Sequence, residues 1–173
     1  MLALIWFLLS ISISLGQLLV LSQTDWIIHG PNHLSLYATC YLSNCQPRIN
    51  TYALMILSGY IVGGGTLFLS AILLVPYLIC TNLAKPIEIV ANVQLFAAIL
   101  TTIVLVCVPF DVSDILCSPQ ELIKPKLYGC KLGWSYGIAC ILSLISISCP
   151  VIARLVADHR KTYSIVYHQH EYF

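Results

Sequence analysis

Hydrophobic positions in this chain do not alternate with polar ones; they run together in long stretches broken by short polar segments. The charged side chains fall at Asp25, Arg48, Lys85, Glu88, Asp111, Asp114, Glu121, Lys124, Lys126, Lys131, Arg154, Asp158, Arg160, Lys161 and Glu171, and they leave four long charge-free intervals. A helix needs about 20 apolar residues to cross ~30 Å of hydrocarbon, and the intervals supply them at 2–22, 52–80, 89–110 and 132–153. Helices satisfy their own backbone hydrogen bonds in lipid. Strands would have to close into a barrel and carry a period-two pattern, which these runs lack. The pattern predicts an all-α membrane fold: a four-transmembrane-helix bundle over 1–156, loops at 23–51 and 111–131, and a tail at 157–173. The connection at 81–87 is short enough to make the second and third helices antiparallel neighbours.

Composition agrees with this reading and narrows the function classes. The chain is 59% hydrophobic and 9% charged, with a mean hydropathy of +0.90, whereas a soluble domain carries roughly 25% charged residues. Membrane lipid is therefore its expected surrounding. A net charge of +1 without a basic cluster removes nucleic acid from consideration.

Charge does not orient the bundle. With both termini on one side, Lys85, Arg154, Arg160 and Lys161 there are balanced by Arg48, Lys124, Lys126 and Lys131 on the other, so the positive-inside rule is silent. Cysteines discriminate better. Cys40 and Cys45 lie in the first loop and Cys117 and Cys130 in the 111–131 loop, on one side of a four-span chain. Disulfides persist in oxidising compartments, so these loops are expected to be extracellular or lumenal, the termini cytosolic, and the destination the plasma membrane. The first apolar run contains Ser14-Leu15-Gly16, a small-x-small pattern open to signal peptidase. Its length beyond the usual ~7–15-residue hydrophobic region, and the absence of Lys or Arg ahead of it, favour a retained span.

The first loop is polar and aromatic and is expected to form short strands, with Ser35-Leu36-Tyr37-Ala38-Thr39 as one extended edge and turns near Asn44 and Pro47. Pro119 and Pro125 argue against one continuous helix in the 111–131 loop. Within the spans, Gly59 with Gly63 and Gly133 with Gly137 form GxxxG patterns that let helix backbones approach closely. Asn92 and Gln94 are amides expected to hydrogen-bond across helices, and Pro76 is expected to kink the second helix. Cys107, Cys140 and Cys149 read as small packing residues. No Asp, Glu, Lys, Arg or His lies deep in a span, which disfavours a transporter or pump.

Candidate chemistry is sparse. His29 and His33 share the first loop with Asp25 and Cys40 but carry no nucleophile motif, so no catalytic or cofactor-binding residue is expected. His159, His168 and His170 could hold a metal only weakly, with no fourth ligand or closed geometry suggested. The tail offers Tyr163-Ser164-Ile165-Val166, a YxxΦ-like sorting motif with Tyr163 and Val166 as its key positions, and Glu171-Tyr172-Phe173, similar to a PDZ ligand. Cys80 sits where palmitoylation occurs. None of the asparagines begins an Asn-x-Ser/Thr sequon.

Several motifs together resemble one family. Trp26-Ile27, then Ser35-Leu36-Tyr37-Ala38-Thr39-Cys40 and Cys45, resemble the first-loop signature of claudin-like tetraspans, with Ser35 in place of a glycine and Tyr37 in place of Trp or Phe. Cys80-Thr81-Asn82, Val93-Gln94-Leu95-Phe96-Ala97-Ala98, Val108-Pro109-Phe110-Asp111, Cys117 and Tyr128-Gly129-Cys130-Lys131-Leu132-Gly133-Trp134-Ser135-Tyr136 follow in the order of the lipoma HMGIC fusion partner-like (LHFPL) tetraspan family. The resemblance implies a four-helix bundle with a disulfide-linked, β-containing extracellular cap, and disulfides carried onto Cys40–Cys45 and Cys117–Cys130. The sequence by itself leaves three pairings of these four cysteines open. The resemblance further implies a non-enzymatic auxiliary or scaffold subunit whose partner is a channel or receptor. The alternative is a claudin-like adhesion or junction protein that associates with itself.

Overall fold

The computed structural model describes residues 2–29, 31–41, 44–79, 85–113 and 131–170. Helix α1 (Leu2–Leu21) leads into four short strands: β1 (Ile27–His29), β2 (Asn32–Leu34), β3 (Ala38–Tyr41) and β4 (Asn44–Pro47). Helices α2 (Thr51–Ile79) and α3 (Lys85–Ser113) follow, then strand β5 (Lys131–Leu132), helix α4 (Trp134–Ser146) and helix α5 (Ser148–His170). Among the described residues, four segments are long and apolar enough to cross a membrane: Leu2–Leu21, Thr51–Pro76, Ile87–Phe110 and Trp134–His159. They correspond to the four spans that the charge gaps predict.

The fourth span is interrupted, and it runs on further than the hydropathy indicates. Its break at Ile147 has a local cause. Pro150 cannot donate to the carbonyl of Ser146, and its ring crowds that oxygen, so α4 ends there and α5 begins at Ser148 with the proline in its tolerant first turn. Beyond the expected boundary at 156 the backbone stays helical to His170, so the first part of the predicted tail continues α5.

The strands form one antiparallel sheet in the order β4-β3-β2-β1-β5. β5 comes from the segment before α4, so the first loop and the start of the fourth span meet at the same end of the bundle. Cys40 and Cys45 face each other in the β3–β4 register and are joined in a disulfide. Cys117 and Cys130 lie outside the described residues. Of the stretch read as extended from Ser35 to Thr39, Ala38 and Thr39 lie in β3, whereas Ser35, Leu36 and Tyr37 form a turn. The Ser35 hydroxyl accepts the backbone N–H of Ala38 (2.8 Å) and donates to the Ala38 carbonyl (3.0 Å), so the side chain offers the backbone an alternative to ladder pairing.

The bundle is apolar outside, and its interior sets small polar side chains among apolar ones such as Ile13, Leu67 and Leu74. α1 buries Trp6, Ser10, Ser14 and Gln17 while exposing Leu4, Ile5, Leu8 and Leu19. Lipid provides no hydrophobic drive between helices, so close packing and interhelical hydrogen bonds must hold them together. The Trp6 indole N–H donates to Gln94 Oε1 at 2.9 Å, and the Gln94 amide donates to Ser10 Oγ at 3.2 Å, tying α1 to α3. Thr102 and Ser143 share a 2.9 Å hydrogen bond between α3 and α4. Such bonds contribute about 0.6 kcal/mol each in membranes, at most ~1.7. Gln94 is buried as the sequence leads one to expect, but Asn92 is exposed. Two residues on a helix are about 200° apart, so both amides cannot face the same neighbour.

The glycines divide by position. A Cβ on Gly59 would meet Val104 Cγ2 at 2.7 Å, and one on Gly63 would meet Thr101 Cγ2 at 2.5 Å, so this pair lets α2 lie close against α3. Gly65 and Gly137 have open space where a Cβ would be. Gly63→Ala is therefore expected to destabilise the bundle by about 1–3 kcal/mol through overpacking, while Gly65→Ala is neutral or mildly stabilising because it removes backbone entropy from the unfolded chain. Denaturation of the two variants in detergent checks this; equal stabilities would show that α2 and α3 are not in contact through Gly63.

Candidate functional site

The sheet end of the bundle is organised around Trp26. The residue follows α1 by only a few positions, and its side chain is 0% exposed. Its indole N–H donates to the Val20 carbonyl in the last turn of α1 (3.1 Å), while its backbone N–H donates to Leu34 O of β2 (3.1 Å). Its carbonyl accepts the Gly133 N–H (2.8 Å) ahead of α4. Its ring packs edge-on against Tyr60 of α2, centroids 5.4 Å apart, and against Tyr136 of α4 at 6.5 Å. Tyr136 in turn donates its hydroxyl to Leu105 O of α3 (3.1 Å). One side chain thus contacts or links every helix that reaches this end.

Gly133 serves this junction rather than helix packing. It stands just before α4 in an extended conformation, and a Cβ there would run into the carbonyl oxygen of Asp25. Glycine is needed because the two backbones touch. Gly137, the other half of the expected GxxxG pair, faces open space, so within the described residues that pair does not bring helices together.

A polar clasp covers the junction. Asp25 accepts the Trp134 indole N–H on Oδ2 (3.1 Å) and pairs through Oδ1 with His33 Nδ1 (2.7 Å). The Trp134 hydrogen bond above all, aided by His33 and Thr24 and opposed by partial desolvation, holds the Asp25 carboxyl below its ordinary value of 3.8. Beneath the sheet, between Trp26, Leu34, Ile56 and Val108, the free volume is only about 10 Å³, too little for more than one water. The cap rests directly on the bundle and encloses no ligand chamber there.

The outer side of the cap is open. Strand β4 forms one edge of the sheet and all four of its residues are exposed. Tyr41 precedes it, and Ile49 (79% exposed) and Tyr52 (53%) follow. An edge with unpaired backbone groups beside exposed aromatic and aliphatic side chains is suited to pairing with another protein surface.

Other sequence-predicted positions fall elsewhere. Tyr163 and Val166 lie within the helical backbone of α5, and Cys80 and Glu171-Tyr172-Phe173 lie outside the described residues. Cys107 and Cys140 are half-buried and Cys149 is buried, all three unpaired. The significance of Trp26, Gly133 and Asp25 as one unit was not readable from spacing, because α4 reaches them only through the fold.

The lowered carboxyl fixes the sign of a pH effect. The folded state binds fewer protons than the unfolded one, so Asp25 stabilises the cap above its ordinary value, and this contribution is lost as pH falls through and below it. Asp25→Asn should lower the thermal midpoint in detergent at neutral pH, and the gap to the unsubstituted protein should narrow below about pH 4. A gap independent of pH would show that the charge is not what matters. Comparison of the chain with protein-family models and with curated proteins finds no match.

Proposed function

We propose that this chain is a non-enzymatic tetraspan of the LHFPL type, within the claudin-like superfamily, and that it acts as an auxiliary or scaffold subunit of a channel or receptor complex. In this reading the sheet lies outside the plasma membrane and both termini lie in the cytosol. The observation that carries the proposal is the open edge of the cap. β4 and its neighbours Tyr41, Ile49 and Tyr52 are presented on a platform that Trp26 fixes to the helices. A surface held rigid in the free protein loses little conformational freedom on docking, which favours binding. The interior supports the same direction, since Gln94 with Trp6 and Ser10, and Thr102 with Ser143, hydrogen-bond helix to helix.

The alternative of self-association at cell contacts uses the same edge, with a second copy as the occupant. Crosslinking and mass spectrometry on native membranes, followed by affinity isolation in mild detergent, separates the two. The proposal expects crosslinks from the β4 region to a different multi-pass protein, reduced at least several-fold by charge substitution at Ile49 (Ile49→Asp). Crosslinks only between copies of this chain, or recovery of the isolated monomer alone, would refute it.

A further inference from the structure

The end of the bundle opposite the sheet carries a second feature, independent of the cap. Between α3 and α5 lies a cleft of about 290 Å³ lined by Glu88, Asn92, Arg154, Ala157 and Asp158. This is close to the lower bound of small-ligand sites. From Glu88 to Phe110 the helix rises about 33 Å, slightly more than one hydrocarbon thickness, so the cleft stands at the membrane interface. Long cationic side chains reach that layer by extending along the bilayer.

Its chemistry is of two signs. Arg154 is exposed and has no hydrogen-bond or ion-pair partner among the described residues. A guanidinium binds phosphate through paired N–H donors. Glu88 and Asp158 supply carboxylates and Asn92 an amide oxygen, all acceptors. Toward the bilayer centre the same helix faces turn apolar and exposed: Phe96 lies one turn beyond Asn92, and Val151 one turn before Arg154. A polar cleft at the interface thus opens onto an apolar track.

We propose that this cleft binds one phospholipid with a primary-ammonium headgroup, of the phosphatidylethanolamine class. Arg154 holds the phosphodiester, the ammonium donates to Glu88, Asp158 and Asn92, and the acyl chains lie along Phe96 and Val151. A choline headgroup carries no N–H and so cannot donate a hydrogen bond to these acceptors. The apolar track is the reason the ligand is a lipid and not a free phosphate ester.

Native mass spectrometry of the full chain, released from nanodiscs holding equimolar phosphatidylethanolamine and phosphatidylcholine, tests this. The expected result is one retained lipid, with phosphatidylethanolamine favoured about tenfold, the scale of one charge-assisted hydrogen bond. Arg154→Gln should abolish retention of both lipids, and the double variant Glu88→Gln/Asp158→Asn should abolish the preference. A photoreactive phosphatidylethanolamine should label α3 near Phe96 or α5 near Val151 in the unsubstituted protein, a readout that does not depend on any variant folding. Equal retention of the two lipids, retention unchanged by Arg154→Gln, labelling elsewhere, or displacement of the lipid by water-soluble glycerophosphoethanolamine at equal concentration would each overturn the proposal.

Discussion

The burial of Trp26 is the constraint on which the sheet end of this protein depends. A five-stranded sheet of two- to four-residue strands has too little surface to form a core of its own. It becomes a fixed structure by resting on the helices, and Trp26 is where it rests. The side chain satisfies its one donor on α1, fills the space between Tyr60 and Tyr136, and lends its backbone to both β2 and Gly133. Truncating a buried Trp costs about 3–5 kcal/mol, a large fraction of a typical domain's net stability. Gly133 and the Asp25 clasp are extensions of the same junction, since both bring the start of α4 to the residues that flank the tryptophan.

The helices obey a different rule. In a bilayer their apolar faces are already solvated by lipid tails, so those faces cannot drive association. The faces that do meet pack Ile13, Leu67, Leu74 and Val156 together and add close or polar contacts: Gly59 and Gly63 against Val104 and Thr101, Trp6 and Ser10 against Gln94, Thr102 against Ser143. α1 is integral to this scheme. The segment ahead of Gly16 supplies Trp6 and Ser10, and without them the Gln94 amide would lose both of its interhelical partners.

Much of this was legible in the sequence because each span is announced by the absence of charge, a signal that needs no tertiary information. Two departures have local causes that the sequence reading did not use: Pro150 sets the break at Ile147, and the bonding of the Ser35 hydroxyl to nearby backbone makes a turn where an extended edge was expected. Where the reading departed from the structure, spacing was taken without phase or position. Asn92 and Gln94 are neighbours in sequence and lie on opposite faces of α3. Gly133 has GxxxG spacing to Gly137 but precedes the helix, so its close approach is to the Asp25 carbonyl. The meeting of Trp26 with Tyr60 and Tyr136 leaves no local trace, because only the folded topology brings three separate segments together.

The resulting protein is a helical bundle with a small platform fixed to one end, and the proposed role in assembly requires that platform to be rigid before a partner arrives. Amide hydrogen exchange on the unsubstituted protein and Trp26→Ala tests that coupling most directly. The account predicts that amides of β1, β2 and β3 and the Gly133 amide lose protection together in the variant, while amides around Gln94 in α3 keep theirs. Protection lost only in the residues adjoining position 26, with the sheet and Gly133 unchanged, would contradict it.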